Sequence, residues 1–580
     1  MNYPNTVFVS AMCGDDSNTG LNSMTPVRTI ARGLQQATGQ VTRVLVCAGT
    51  YRESVVVETP VSLLGGHDCT TWQRSNTTFG YPDFNDVNET TVQPNSGRAL
   101  VMGTRNPGSP PLEVSGFTFR GIANAVGNEV TVEIKSASIT SNTLFAHNHV
   151  IGAAASSGTT AAQSVGVLVR DSAAPSIQHN LIQGGGGRTG VVSPASIGLL
   201  VAGDAGSADI NNNVIQGGSG TGLSASDGSV GLWLEGGVAP LLQFNFIDGG
   251  SGSSVDGSAF PSVGVRVVGN AAADVSYNYI SGGTGAASSA ATGPVGISLG
   301  STGRVSVLNS RIFGGDAPNA GVTHAVLVQQ STDVELINNL IHGGNHADAT
   351  GGQRLTVGIR IHNGAANTRV WHNTVLSGKS FNYNPQGCAL SVHGADHAFN
   401  IQNNILFGVG PGSSMCFDGC PISIEGTLAN NAMLSQQYIL HFRTACATTT
   451  TVGSMQGAVS RLTSADATLL MAGNVTIKDN CTGDAQCLVD GACGTAAGCN
   501  PRIFAGFSGE DGWDDFRGDL TSYDIPLDGW PLAQEAPCQV RNSSLDLGVP
   551  GDHSGATRDT TPSMGAHEFN NGGATETCGL

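Results

Sequence analysis

The stretch VGLWLEGGVAPLLQFNFIDGGSG (residues 230–252) carries the pattern on which the fold turns. It is rich in glycine, yet its apolar residues are ordered. Leu232 and Leu234 fall on one side of an extended segment, with Trp233 between them on the other. A second apolar run, LLQFNFI, follows around Asn245, and a Gly/Ser-rich tail ends the unit. The phrase recurs at Val165 (VGVLVR), Ile197 (IGLLVA), Val263 (VGVRVV), Val295 (VGISLG), His324 (HAVLVQ), Val357 (VGIRIH) and Cys388 (CALSVH), in steps of 29 to 33 residues. The second run recurs with it, as SIQHNLI, DINNNVI, DVSYNYI, ELINNLI, RVWHNTV and NIQNNIL.

Alternation assigns the sides. In the first strand Val167, Leu199, Leu232, Val265, Ile297, Val326, Ile359 and Leu390 point inward, as do Val169, Val201, Leu234, Val267, Leu299, Val328, Ile361 and Val392 two residues on. The residue between them varies freely and is read as outward: Leu168, Leu200, Trp233, Arg266, Ser298, Leu327, Arg360 and Ser391. The second run has its inward residues at Ile182, Ile215, Ile247, Ile280, Ile312, Ile341, Val375 and Leu406. A unit of two or three short strands cannot bury such a side alone, but stacked copies can, which is the logic of a solenoid. No unit holds an uninterrupted 3.6-residue period, so helical repeats are excluded; four-stranded propeller blades would need longer units. A parallel β-helix fits. Its recurrent Asn (148, 180, 213, 245, 278, 339, 373 and 404, with Ser310 once) reads as a side-chain ladder at a tight bend, where Asn tolerates left-handed backbone.

Composition bounds the function. The chain has 580 residues, 82 Gly and 23 Pro without a Gly-X-Y period, 12% charged residues and a net charge of −18. Such an acidic surface disfavours nucleic acid and anionic membranes, because no counterion release drives binding. No apolar run is long enough to span a membrane, and no leader precedes the first strand-like segment, so a signal is expected to have been removed. Of 13 cysteines, Cys481, Cys487, Cys493 and Cys499 stand six apart in an acidic, loop-like stretch. That spacing suits neither paired zinc ligands nor a thioredoxin motif and points to disulfides in an oxidising compartment.

The two ends add a resemblance. TPVRTIARGLQQAT (residues 25–38) has Ile30, Leu34 and Ala37 on one helical face, a short cap for the open end of a solenoid. Together with FVSAMCGDDSNTGLNSMTPVRTIARGL, VLVCAGTYRESVVV and VSLLGGHD, it resembles the N-terminal signature of secreted bacterial right-handed parallel β-helix proteins, broadly pectate-lyase-like in fold. The end of the chain, DIPLDGWPLAQEAPCQV, LDLGVP and TRDTTPSMGAHEF with Gly565, Ala566, His567 and Glu568, resembles the closing segment of bacterial cell-surface β-helix proteins. The resemblance implies an extracellular or cell-surface location and a fold that hosts lyases, hydrolases and epimerases as well as adhesins.

Chemistry has to be sought in residues. A lyase would need carboxylates around Ca²⁺ and a base. Asp209, Asp274 and Glu335 hold equivalent places on alternate coils, about 10 Å apart at roughly 4.8 Å per coil, too far for one Ca²⁺, and read as solvated acids. Arg266 and Arg360 point outward and could act as base or sugar clamp. His362 and His393 should stack on adjacent coils, with Asp396 as an orienting partner. The residue before each ladder Asn forms an outward strip: His147, His179, Asn212, Phe244, Tyr277, Asn309, Asn338, His372 and Asn403, with Trp233 on a neighbouring strand. Flat rings and amides suit sugars, whose C–H faces stack while their hydroxyls bond to amides. The competing reading of the strip is a ladder that merely stabilises the sheet.

The sequence thus predicts an all-β chain: a right-handed, single-stranded parallel β-helix with a short N-terminal capping helix and an irregular, disulfide-bearing C-terminal module. Residues 1–105 hold the cap and first coils, 106–410 the repeats, and 411–580 the Cys-containing closing module. The expected function is presentation of a rigid face to a polysaccharide or cell-surface glycan, through Trp233, Phe244, Tyr277, His147, His179, Asn212 and His372, without catalysis. The alternatives are a polysaccharide lyase or glycoside hydrolase using Arg266, His362, His393 and Asp396, and a self-associating spacer or filament subunit. No metal or cofactor is expected; Ca²⁺ is the one ion its acidic loops could hold, though no EF-hand spacing occurs.

Overall fold

In the computed structural model the repeat becomes a coil of three short strands. The structure describes residues 4–442 apart from 75–87, 104–111, 124, 126, 155–162, 187, 190–195, 220, 223–227, 253–261, 286–291, 318–320, 347–353, 363–364, 381–386, 394–397, 409–412, 419–424, 430 and 436–437, and beyond them 475–478, 547, 549–553, 557–558, 563 and 566. Residues 230–252 supply the type coil: Ser229–Glu235 in a first sheet, Leu241–Gln243 in a second and Phe246–Asp248 in a third. The run around the ladder Asn, read from sequence as one strand, is therefore two strands on two sheets with a sharp bend between them.

Among the described strands, pairing between coils is parallel, with register shifts only near Leu45–Cys47 and Thr292–Val295. Leu232 lies between Leu199 and Val265, Leu242 beside Ile210, and Ile247 beside Ile215. The chain falls into two compact units, Met1–Ala273 (with residues 521–523) and Asp274–Leu520 with Asp524–Leu580, and the same coil builds each. In the second unit Ile359 pairs with Val326 and Leu390, and Val375 with Ile341 and Leu406. Every inward residue named above is at most 2% exposed, so the alternation correctly located the core. Sheets buried on one side by aliphatic residues in consecutive layers are what hold such a stack together.

The glycine that the phrase carries, except at Ala325 and Ala389, has a steric reason. A Cβ on Gly231 would lie 2.6 Å from the Asp248 carbonyl oxygen, 2.8 Å from that of Gly264 and 2.9 Å from Ile247 Cγ2. Gly231 therefore faces the interior, as does Leu232 after it. Strict alternation breaks at this point, and Val230 turns to the outer face. There the equivalent Val165 and Ile197 pack with Leu168, Leu200 and Trp233.

The N-terminal helix forms as expected, over Ile30–Gln36, with Thr29 as its cap and Ile30 and Leu34 buried. Both Glu53 carboxylate oxygens accept from its first backbone amides, Ile30 and Ala31. The helix links Thr6–Val9 to its parallel partner Arg43–Cys47. Disulfides join Cys47 to Cys69 and Cys388 to Cys416, so the first lies near the N-terminus, away from the segment where the sequence spacing placed such bonds. Cys481, Cys487, Cys493 and Cys499 lie outside the described residues.

Candidate functional site

The bend between the second and third sheets defines the strip. The ladder Asn side chains are buried there and bond from coil to coil. In the first unit Asn148 N donates to Asn180 Oδ1 (2.9 Å), Asn180 N to Asn213 Oδ1 (2.9 Å) and Asn213 N to Asn245 Oδ1 (3.0 Å). In the second, Ser310, Asn339, Asn373 and Asn404 continue the pattern to Asn431, a member the sequence reading missed because its unit lacks the opening phrase. The left-handed residue is not the Asn, as the sequence suggested, but the one before it. His147, His179, Asn212 and Phe244 have φ of 52–54° in the first unit, and Tyr277, Asn309, Asn338, His372 and Asn403 have φ of 47–59° in the second.

This conformation is cheap for Asn and Gly and costly for bulky side chains. Among the described bends Asn stands at four and Gly116 at another, as the backbone alone would select; His, which also tolerates this region, stands at three, and Phe244 and Tyr277 are the bulky exceptions. In the first unit these side chains reach the surface: His179 and Phe244 are exposed, His147 and Asn212 half-buried. Phe244 is 48% exposed. The His147 and His179 rings stack, 5.1 Å between centroids and 4° from parallel. Burial, then the neighbouring His179 and Arg74, hold His147 below the usual imidazole pKa, with Glu113 opposing.

In the second unit Tyr277 and Asn309 are half-buried, but the later bends are not at the surface. His372 is 0% exposed, and Asn338 and Asn403 are buried with it. The cover is the closing segment near the C-terminus. Asn338 Nδ2 donates to the Gly551 carbonyl, Arg558 Nη2 donates to Asn338 Oδ1 at 2.9 Å, and the Ala566 amide donates to Thr374 Oγ1 at 3.1 Å. His372 Nε2 pairs with Asn403 Nδ2 at 3.0 Å, and burial followed by the Arg558 cation depresses its pKa. The expectation that His372 meets ligand is thus corrected: a segment some 200 residues away in sequence packs over it.

Trp233 does not join Phe244 on one surface. It projects outward from the first sheet, whereas Phe244 sits at the bend beyond the second, with Leu232, Leu234 and Leu242 between them in the core. Its neighbour is Arg266, whose Cζ lies 5.4 Å from the ring centroid. Burial lowers the pKa of Arg266. Burial likewise raises that of Glu235, which stands on the same outer face two residues from Trp233. In the second unit His362 and His393 stack as predicted, 4.5 Å apart. Asp396 lies outside the described residues.

The acids read as solvated differ among themselves. Asp274 is exposed, and Asp209 accepts from Asn211 Nδ2 at 3.0 Å. Glu335 is buried, correcting the expectation, and pairs with Arg304 and Arg369. Among the described residues no three His, Cys, Asp or Glu side chains converge as metal ligands, and no helix is long and apolar enough to cross a membrane.

No protein-family description matches the chain, and no curated protein matches it. Among solved structures it is similar to the pectate lyase Pel9A, at 12% identity over 97% of this chain and 96% of that one, with a TM-score of 0.28. It is also similar to a GH136 lacto-N-biosidase from Eubacterium ramulus, at 10% identity over 73% and 67% of the two chains, with a TM-score of 0.21.

Proposed function

We propose that this β-solenoid is a glycan-binding protein and that sugars lie along its row of left-handed bends. The observation that carries the reading is the choice of side chain at those bends. Asn or Gly, as at Asn212 and Gly116, would relieve the backbone at every position, yet at the described bends of the first unit Phe244 carries a bulky ring, and His147 and His179 present theirs outward as well. A ring retained against a backbone preference is explained by what the ring does. Rings and an amide repeated at coil spacing offer stacking faces and hydroxyl partners to successive sugar units. Tyr277 and Asn309 offer the same groups in the second unit. The ligand is a polysaccharide or cell-surface glycan, and the Cys47–Cys69 and Cys388–Cys416 disulfides fit an extracellular or surface location.

A second reading has an observation of its own. Arg266 against Trp233, with Glu235, whose pKa burial raises, on the same face, is an arrangement that a polysaccharide lyase or glycoside hydrolase could use. One experiment separates the two. The protein is incubated with neutral and acidic polysaccharides, with and without Ca²⁺, and both retention on the polymer and new reducing ends are followed. Retention without new ends is the expected result. New ends that vanish in Glu235→Gln would transfer the function to the outer face of the first sheet, and neither signal would overturn both readings.

A further inference from the structure

Beside the bend row of the first unit, the outer face of the second sheet carries a polar network. Strands Ser176–Gln178, Asp209–Asn211 and Leu241–Gln243 pair in parallel, with Ser176, Asp209 and Leu241 in one column. Ile177, Ile210 and Leu242 point into the core at 0% exposure, so the residues on either side of each point outward. Two hydrogen-bond chains run along this face and end on one carboxylate. Asn212 Nδ2 donates to Asn211 Oδ1 at 3.1 Å, and Asn211 Nδ2 donates to Asp209 Oδ1 at 3.0 Å. From the preceding coil Gln178 Nε2 donates to Ser176 Oγ, whose hydroxyl donates to Asp209 Oδ2 at 3.4 Å.

The direction of these bonds decides what the face offers. Each amide uses one N–H in its chain and keeps a second, and the carboxylate at the meeting point accepts from both sides. Asp209, Asn211 and Asn212 are half-buried, so a solute reaches them. Among the described residues no basic side chain pairs with Asp209. Arg74, a cation at the N-terminal end of the row, is engaged by Glu113 and Ser115, three coils or about 14 Å away. One coil beyond Asp209, Leu241 and Phe244 are 38% and 48% exposed. An apolar surface thus adjoins a singly negative, hydrogen-bonding one. A sugar whose C–H face lies on Phe244 and Leu241 turns a hydroxyl edge to Asp209, Asn211 and Asn212. A hydroxyl donates to the carboxylate and accepts from the amide N–H groups. A sugar carboxylate or sulfate only accepts, and its charge is repelled at the same place.

We infer that this part of the row takes an uncharged sugar residue and that Asp209 turns away uronates and sulfated sugars. The inference rests on the reading of the bend row as a glycan-binding face and names the class of sugar it accepts. The test uses the full chain and three pairs of polymers that share a backbone and differ in charge: dextran and carboxymethyl dextran, hydroxyethylcellulose and carboxymethylcellulose, and methyl-esterified and de-esterified polygalacturonate. Affinity electrophoresis is run at pH 8, above the ordinary imidazole range. In the pair that retains the protein, the neutral member should bind at least tenfold more tightly. The net charge of −18 disfavours a polyanion anywhere on the chain, so the deciding measurement is Asp209→Asn, which changes that total by one. It should shrink the neutral-to-acidic ratio at least threefold. An acidic member bound as tightly as its neutral partner, or a ratio unchanged in Asp209→Asn, would overturn this inference and leave the glycan row standing. No retention by any of the six polymers would overturn both. Should Asp209→Asn fail to fold, Gln178→Lys, which sets a cation one coil from Asp209, decides the question by the same ratio.

Discussion

Replacing Phe244 by Asn should leave the solenoid standing and damage its ligand binding. The magnitude follows from two opposing terms. Full burial of a Phe is worth about 1.5–3 kcal/mol, and Phe244 is 48% exposed, so losing its contacts costs about 1 kcal/mol. Against this, its φ of 53° belongs to the left-handed region, where a bulky L-residue loses about 1–2 kcal/mol and Asn much less. The terms nearly cancel. Stability should change by less than about 1 kcal/mol, a shift in Tm under about 4 °C on the scale of a unit this size. Binding has no such compensation. A Phe ring of roughly 200 Å² leaves about 100 Å² exposed, of which a sugar on one face covers about 50 Å²; at 25 cal/mol per Å² that is about 1.3 kcal/mol, or close to tenfold in Kd. The assay is calorimetry or affinity electrophoresis against whichever polysaccharide retains the wild type, with thermal unfolding alongside. An unchanged Kd would refute the role of the bend row. A loss of stability beyond about 3 kcal/mol would refute the reasoning from backbone preference, because the ring would then be a packing residue.

Three further outcomes follow from the packing. Asn213→Ala removes the acceptor of the Asn180 amide and the donor to the Ile177 carbonyl, both buried, and should cost about 3–5 kcal/mol in urea unfolding; a loss under 1 kcal/mol would show that the ladder is dispensable. Glu133 has a fully buried carboxylate shared by Arg98, Lys135 and Arg170, so Glu133→Ala should destabilise by about 2–3 kcal/mol, discounted because each cation keeps about a third of its exposure, and salt should shrink the difference. Burial lowers the His342 pKa to about 3. As pH falls below about 6.5 the unfolded chain takes up a proton that the folded imidazole refuses, so stability is lost between pH 6.5 and 3, by about 2 kcal/mol from pH 7 to pH 5. Urea midpoints of wild type and His342→Gln at the two pH values should differ by that amount, and parallel losses would disprove the assignment.

The architecture was legible in sequence because a solenoid repeats its local physics. Each inward aliphatic pair, such as Leu232 and Leu234, meets the same neighbours one coil away, so a short-range period encodes a long-range contact. The ladder Asn was legible for the same reason. The strip was half legible: its members could be named, but not their backbone. One residue either side of the bend preserves the period equally well, and only the three-dimensional turn showed that His147 or Phe244, rather than the Asn, takes positive φ.

What the sequence determined by itself is the coil, its core and its stacking, since these follow from periodicity and from aliphatic residues that need covering. What only the tertiary structure decided is which outward residues meet one another or remain outward. The covering of His372 by Ser563 and Arg558 depends on the chain returning from far along its length, and no local pattern records such a return. The meeting of His324 with Arg360 depends on the pairing of their strands, which no local pattern around His324 and Ala325 records. The disulfides depend on which sulfurs the stack brings together: Cys388 and Cys416 stand on two strands that pair, a meeting that their spacing in sequence does not record.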